Sequence, residues 1–254
     1  MLLAIDVGNT NITVGIFRGE LLAARGWIAT EETRTAGALR RLLGRLKVPL
    51  EAIEGVIVSS VVPGSTSALK SALKTVVKLK PLVLDENIQA PVINRYRIPS
   101  QVGQDRLVNA AAAYYRYGGP AIVVDFGTAV TIDLVNGRRE YRGGLIVPGI
   151  GIALEALSSR AALLPTIRLR PPKEFLGRDT VSSMRSGIFF GYGALCDGIV
   201  RRIRADFAPK AKVIATGGHS TLIAPFCRTL EIVNPDLTLQ GLELTYRKAI
   251  EKSS

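Results

Sequence analysis

Apolar and polar positions cut the chain into short strand-like runs, polar turns and helical stretches. Leu2–Ile5 is a continuous apolar run, and Ile12, Val14 and Ile16 alternate with Asn11, Thr13 and Gly15. The first pattern suits a buried strand and the second has the period of two of a strand with distinct faces. Between them, Asp6-Val7-Gly8-Asn9-Thr10 has the Gly, Asn and Asp content of an ordinary hairpin turn. Leu21–Ile28 predicts a third strand. After the polar stretch Thr30–Thr35, Leu39, Leu42, Leu43 and Leu46 share one face of a helix predicted over Thr35–Leu46. Gly55–Pro63 predicts a buried strand ending in a loop of small residues. Ser65 or Thr66 is expected to cap a helix reaching about Leu79, and Leu82–Leu84 predicts another strand. The order β-β-β-α-β-α-β is that of a mixed sheet with helices packed on it.

Asn94–Ser100 reads as a loop held by Pro91 and Pro99, and Leu107–Tyr117 as an alanine-rich helix. Gly118-Gly119-Pro120 is the clearest break and the expected domain hinge. The opening pattern then returns. Ala121–Val124, Val130–Leu134 and Glu140–Ile146 predict strands, with a hairpin turn at Asn136-Gly137. Pro148-Gly149-Ile150-Gly151 leads into a helix over Ala153–Ala162. A long helix over Val181–Phe207 contains Gly187, Gly191, Gly193 and Gly198, which predicts tight packing or a kink. Val213–Ala215 is a strand delivering Thr216-Gly217-Gly218-His219; a strand at Glu231–Val233 and a helix at Leu239–Ile250 follow. Asp-x-Gly-polar thus occurs twice, as Asp6–Asn9 and Asp125–Thr128, each time at the mouth of a hydrophobic strand. A hairpin turn needs no copy of itself; a phosphate clamp built from two related domains, 1–117 and 118–254, does.

Composition adds bounds. The chain has 254 residues, 47% hydrophobic and 21% charged, which is ample core for one large or two small soluble domains. No apolar run approaches the roughly 18 residues of a membrane span, and the N-terminus opens into a strand without a basic, signal-like region. Cys196 and Cys227 lack C-x-x-C spacing and read as reduced thiols of a cytoplasmic protein. His219 is the sole histidine, which argues against His-rich metal sites and a Ser-His-Asp triad. The net charge of +12 raises nucleic-acid binding as a class. The basic residues are scattered, however, and the densest cluster (Arg201, Arg202, Arg204) fits an exposed helix face. A basic field also attracts anionic small substrates such as nucleotides.

Neither G-x-x-x-x-G-K-[ST] nor the dinucleotide fingerprint is present. Instead, Gly8, Gly127 and Gly217-Gly218 stand at strand ends, where glycine lets main-chain N–H groups approach phosphate oxygens. Asn9, Thr10, Asn11 and Thr128 can add side-chain donors. Asp6 and Asp125 stand beside those turns and, if both face one cleft, suit Mg²⁺ or another cation carrying a nucleoside triphosphate tail. Phosphoryl transfer is mostly positioning and charge neutralisation. Asp105 is the candidate for accepting the acceptor hydroxyl's proton, and Arg106 for holding an anionic group. Asp105 would equally serve as a helix N-terminal acid, and the residues alone leave both readings open.

The duplicated D-x-G-[NT] hairpin resembles the acetate and sugar kinase, heat-shock ATPase and actin superfamily. Within it the chain is similar to type III pantothenate kinase. The stretches that carry the likeness are DVGNTN (6–11), SSVVP (59–63), GQDR (103–106), DFGTAVTID (125–133), GGLIVPGI (143–150), GRDTVSSMRSGIFFGYG (177–193), TGG (216–218) and PDLTLQGLEL (235–244). The resemblance implies an α/β fold of two actin-like (ribonuclease H-like) domains, each a mixed sheet flanked by helices, with the active site in the cleft between them. It implies ATP-dependent phosphorylation of pantothenate to 4′-phosphopantothenate, the first step of coenzyme A synthesis. It places ATP phosphates, with Mg²⁺, on Asp6, Val7, Gly8, Asn9, Thr10, Asn11, Ile12, Thr13 and Thr128, and the adenosine near Gly217 and Gly218. It puts K⁺ or NH₄⁺ at Asp125 and makes Asp105 the general base. Pantothenate would be held by Tyr96, Gly103, Gln104, Asp105, Arg106 and Thr180, the last contributed across a homodimer interface. Asp179 stands where the resemblance implies asparagine, and adds a negative charge near a carboxylate substrate. A non-catalytic regulatory or nucleic-acid-associated protein of the same fold is the alternative. The set Asp6, Asp105, Arg106 and Asp125 argues against it. A kinase for another small polyol or sugar is a third reading, which stands only if the Tyr96/Arg106/Thr180 pocket is misassigned.

Overall fold

The N-terminal apolar run becomes the middle strand of a sheet. In the computed structural model, which describes residues 1–30 and 36–253, β1 (Leu2–Val7) pairs antiparallel with β2 (Asn11–Arg18), and β2 with β3 (Leu21–Ala29). On its other edge β1 pairs parallel with β4 (Gly55–Ser60), and β4 with β5 (Leu82–Val83). One face of this β3-β2-β1-β4-β5 sheet packs on α1 (Ala36–Arg45) and α2 (Pro63–Val76), through Leu3, Ile5, Val7, Val14, Leu39, Leu43, Leu69 and Leu73. The other face takes α7 (Leu237–Ser253): a Cβ on Gly15 would lie 3.0 Å from Leu239 Cδ1. With both faces covered, β1 is apolar almost throughout, as a central strand must be.

The second sheet repeats the first. The remaining strands are β6 (Ile93–Asn94), β7 (Ala121–Phe126), β8 (Ala129–Val135), β9 (Glu140–Pro148), β10 (Lys212–Thr216) and β11 (Ile232–Val233). Their order is β11-β10-β7-β8-β9-β6. β7-β8-β9 is an antiparallel meander like β1-β2-β3, and β10 and β11 extend β7 in parallel as β4 and β5 extend β1. α4 (Ile150–Arg160), α5 (Thr180–Asp206) and the short α6 (Ser220–Ile223) supply the core against Ile122, Val124, Ile132 and Val213. An aromatic cluster closes it, with Phe189 and Phe190 at 5.0 and 5.1 Å from Phe226 between ring centroids. Each such edge-on contact adds about 0.5–1.5 kcal/mol beyond buried area.

Two compact units result. The first comprises Met1–Val92, Arg97–Ala112 and Leu237–Ser254, the second Ile93–Tyr96 and Ala113–Asp236. The units therefore differ from a division after Tyr117 in three places, the first being that Ile93–Tyr96 joins the second unit. The division falls within α3 (Gln104–Tyr117), and the C-terminal helix belongs with the first unit. There Gly241 lies bare against Val108, where a Cβ would meet Val108 O at 2.5 Å. No helix among the described residues is long and apolar enough to cross a membrane.

Several local expectations are corrected. α2 begins at Pro63 with Val62 at the N-cap and no side-chain cap. The Thr66 hydroxyl instead donates to Ser60 Oγ at 2.7 Å and Val62 O at 3.1 Å. The turn after β8 is not a two-residue Asn-Gly turn. Asn136 Oδ1 accepts from Arg138 N and Glu140 N at 2.9 and 3.0 Å, and the left-handed residue is Arg139 (φ 62°). The predicted loop Asn94–Ser100 begins inside a strand, because Ile93-Asn94 adds to the edge of β9. Of the α5 glycines only Gly193 is pressed, with its missing Cβ 2.1 Å from Phe226 O; Gly187, Gly191 and Gly198 have open space and the helix is continuous. The start of the predicted helix at Thr35 lies outside the described residues.

Candidate active site

Asp6 and Asp125 occupy the same place in the repeat, the penultimate position of β1 and of β7. Register sets Thr13 of β2 and Ser59 of β4 on either side of Asp6. It sets Thr131 of β8 and Thr216 of β10 on either side of Asp125. Directly paired residues share a sheet face, so each acid stands between two hydroxyls. Ser59 and Thr216 are fully buried, and neither side-chain oxygen has a hydrogen-bond partner. An unpaired buried hydroxyl costs about 1–3 kcal/mol. Its recurrence at the same point of both copies marks a polar site. Neither hydroxyl stands out as a site residue from the sequence; aligning the ends of β4 and β10 as the duplication demands would single them out.

The turns after the acids are held by main chain. Gly8 N donates to Asn11 O at 3.0 Å, and the Thr30 hydroxyl donates to Gly8 O at 2.7 Å. Gly127 N donates to Ala129 O at 3.2 Å. Val7 and Ile12 are core residues, so only their main chain is available to a ligand, whereas Asn9, Thr10, Asn11 and Thr128 are exposed. Around Asp125 two glycines make the close approach possible. A Cβ on Gly217 (φ 88°) would lie 2.3 Å from Asp125 Oδ1, and one on Gly149 would lie 1.9 Å from Thr128 O. His219 N donates to Phe126 O at 3.1 Å and the Ser220 hydroxyl to Gly217 O at 2.7 Å, tying the Gly217-Gly218 turn to the end of β7. Burial holds the His219 imidazole below its ordinary range. The donors here are oxygens: the Asp125 carboxylate, the Thr216 hydroxyl and turn carbonyls. Such a set fits a hard or alkali-type cation. Among the described residues no group of three or more His, Cys, Asp and Glu could hold a metal. Cys196 and Cys227 are free thiols, and the Cys227 thiol and then burial push Cys196 up, away from reactivity.

Gly103-Gln104-Asp105-Arg106 opens α3, with Asp105 inside the first turn, a favourable place for a carboxylate. A Cβ on Gly103 would lie 2.5 Å from Asp105 Oδ1 and 3.7 Å from Val61 Cγ1. Val61 N in turn donates to Val7 O at 3.1 Å. Within the first unit, the start of α3 that carries Asp105 therefore adjoins the end of β4, which adjoins the end of β1 beside Gly8. Arg106 and Gln104 are buried, and Gln104 Oε1 has no hydrogen-bond partner. One turn on, Asn109 Oδ1 accepts from the Thr238 hydroxyl at 2.8 Å, fixing α3 against α7.

Tyr96 is positioned by β6 and β9. Its N–H donates to Asn94 Oδ1 at 3.0 Å, its ring lies 6.3 Å from that of Tyr141, and Gly143 (φ 109°) presents a bare Cα beneath it. Tyr141 donates to the buried Asp133 at 2.7 Å. Thr180 is exposed at the start of α5, directly after its N-cap, Asp179. Asp179 Oδ1 accepts from Ser182 N at 2.9 Å, and Asp179 N donates to Ser182 Oγ at 3.1 Å. The Ser182 main chain and then its hydroxyl hold the Asp179 carboxyl below the usual range. Asparagine accepts the same bond, so capping explains why either residue can stand here. Asp179→Asn is expected to melt within about 2 °C of the parent, and Asp179→Ala clearly lower, by thermal denaturation. Equal melting of all three would remove the capping account. In all, Asp6–Thr13 and Gly103–Arg106 lie in the first unit, and Tyr96, Asp125, Thr128, Thr180 and Gly217-Gly218 in the second.

Two units with the same strand order, an antiparallel three-strand meander extended in parallel by two further strands, each with an acid at a glycine turn, define the actin-like ATPase and sugar kinase fold. The activator of 2-hydroxyisocaproyl-CoA dehydratase from Clostridium difficile, solved with bound ADPNP, is similar over 99% of this chain and 96% of its own (TM-score 0.61, 13% identity). Sequence comparison narrows the class. The sequence model of the family described as type III pantothenate kinase matches residues 2–202. The type III pantothenate kinase of Moorella thermoacetica is 44% identical over 98% of this chain and 99% of its own. That of Halalkalibacterium halodurans is 42% identical over 98% and 100%. The chain belongs to the type III pantothenate kinase family and is a kinase.

Proposed function

We propose that this chain transfers the terminal phosphoryl group of ATP to the terminal hydroxyl of pantothenate, the entry reaction of coenzyme A synthesis. The observation that carries the reading is the matched pair of acids, Asp6 and Asp125, each between two hydroxyls at the mouth of a glycine turn. Main-chain N–H groups of Gly8–Thr13 and the side chains of Asn9, Thr10, Asn11 and Thr128 would take the phosphates. Asp6 would face the Mg²⁺ that accompanies them. The ADPNP in the Clostridium difficile protein supports a nucleoside triphosphate as donor. Asp105 would accept the proton of the pantothenate hydroxyl as its oxygen attacks phosphorus. The buried Arg106 would hold the pantothenate carboxylate, and the unpaired Gln104 Oε1 supports a donor arriving from the substrate. Tyr96 and Thr180 would complete the pocket, with Thr180 supplied by the second subunit of a homodimer.

Purified protein with ATP, Mg²⁺ and K⁺ is expected to convert pantothenate to 4′-phosphopantothenate, followed by mass spectrometry. A substrate panel in which another polyol is phosphorylated and pantothenate is not would overturn the substrate. Asp125 and Thr216 would hold K⁺ or NH₄⁺, which supplies positive charge beside the phosphates. Exchange of K⁺ for Na⁺ is therefore expected to raise the KM for ATP several-fold. Equal kinetics in a Na⁺-only buffer would sink the cation site.

A further inference from the structure

The β8–β9 hairpin has two ends. Ala129 pairs with Pro148 at the end beside Thr128, and Val135 pairs with Tyr141 at the other. At about 3.3 Å per residue the two ends are roughly 20 Å apart. The far end holds a cavity of about 530 Å³ whose lining includes Arg95, Arg138, Arg142, Glu140, Asn136 and Phe207. Pockets for small ligands run from about 300 to 1,000 Å³.

Its charge is built in an ordered way. Glu140 is the only acid among the lining residues, against three arginines. Its carboxylate accepts from Arg95 Nε at 3.0 Å and lies 3.7 Å from Arg142 Nη1, while Asn136 Nδ2 donates to it at 2.8 Å. Asn136 is itself fixed by two main-chain N–H groups. The Glu140 side chain is 13% exposed, whereas those of Arg95 and Arg142 are 54% and 53% exposed. Glu140 thus anchors two guanidinium groups and leaves their remaining N–H donors facing outward. The Asn136 amide and then Arg95 hold the Glu140 carboxyl below the usual range, so it stays an anchor at neutral pH. Arg138, exposed on the turn, brings the surplus of the lining to two positive charges. Phe207, 74% exposed at the C-cap of α5, offers an open aromatic face at the rim.

We propose that this cavity is a second ligand site, for a phosphate monoester that carries a planar ring, of which a purine nucleoside monophosphate is the simplest form. A phosphate monoester is close to a dianion at neutral pH and matches the surplus of two. Arginine forks bind phosphate oxygens in pairs, and the ring stacks on Phe207. The site is separate from the one that would bind ATP, and it stands or falls independently of that reading.

The test is calorimetric titration of AMP into the full chain after saturation with Mg²⁺ and a non-hydrolysable ATP analogue, so that AMP cannot report the first site. One AMP per chain is expected to bind. Arg138→Ala with Arg142→Ala should weaken it by about tenfold or more, the scale of losing charge-assisted contacts to phosphate. Phe207→Ser should weaken AMP several-fold but leave ribose 5-phosphate, which lacks the ring, unchanged. Both variants alter exposed side chains, and unchanged thermal melting and unchanged pantothenate turnover would show that the fold and first site are intact. No AMP uptake beside the analogue, or uptake indifferent to the arginine pair, overturns the site. Ribose 5-phosphate binding as tightly as AMP overturns the ring-bearing ligand class.

Discussion

Asp105→Asn is expected to lower pantothenate phosphorylation by a factor of about 10² to 10⁴, the range for loss of a positioned general base. Asparagine has the same shape and keeps the first turn of α3, but it cannot take up the hydroxyl proton. The cost to the fold is small by comparison: a charge at a helix N-terminus is worth about 0.3–1 kcal/mol. Far-ultraviolet circular dichroism and the melting temperature should therefore stay close to the parent while turnover collapses. Turnover at the parental rate in Asp105→Asn would remove the residue from the chemistry and leave it a helix N-terminal acid. Glu at the same position tests geometry. Gly103 leaves no room on one side of the Asp105 carboxylate, since a Cβ there would sit 2.5 Å from Oδ1.

Gly217→Ala is expected to cost about 2–5 kcal/mol of folding stability, from a left-handed backbone penalty of about 1–2 and overpacking of about 1–3. The added methyl would fall 2.3 Å from Asp125 Oδ1 and 2.7 Å from Phe126 C. Phe126 C is main chain and cannot swing away, so the end of β7 must shift even where the Asp125 carboxylate rotates aside. Gly218→Ala, one residue on, meets nothing within 4 Å and should stay within about 0.5 kcal/mol, as ordinary surface changes do. Urea denaturation of the pair separates a close-approach glycine from a merely flexible turn. Equal stability of the two variants would contradict the geometry at Asp125.

Much of this fold was legible because its determinants are local. The alternation in Asn11–Ile16 and the apolar run Leu2–Ile5 produced the first hairpin, and the echo at Ala121–Leu134 produced the second. Both signals rest on the period of a pleated strand, which any short window contains. Other features depend on partners distant in the chain. Ile93-Asn94 is too short to have a period and becomes a strand only because β9 offers an edge. The start of α2 at Pro63 escapes a local pattern because the Thr66 hydroxyl bonds back to Ser60 and Val62 in place of capping. The left-handed residue after β8 is Arg139 because Asn136 organises the turn.

The sequence by itself determined the duplication, the two acids at glycine turns and the family to which the chain belongs. These are read from residue identity and spacing, which need no third dimension. Only the tertiary structure decided what stands beside each acid. Ser59 and Thr216 are separated from Asp6 and Asp125 by tens of residues, and strand register alone makes them neighbours. It also decided that Gly217 is needed for room at Asp125 and that the C-terminal helix covers the first sheet. The remote arginine cavity is likewise assembled from β8, β9, the segment after β6 and the end of α5. Packing distances and register are set by long-range contacts, and a linear pattern carries no record of them.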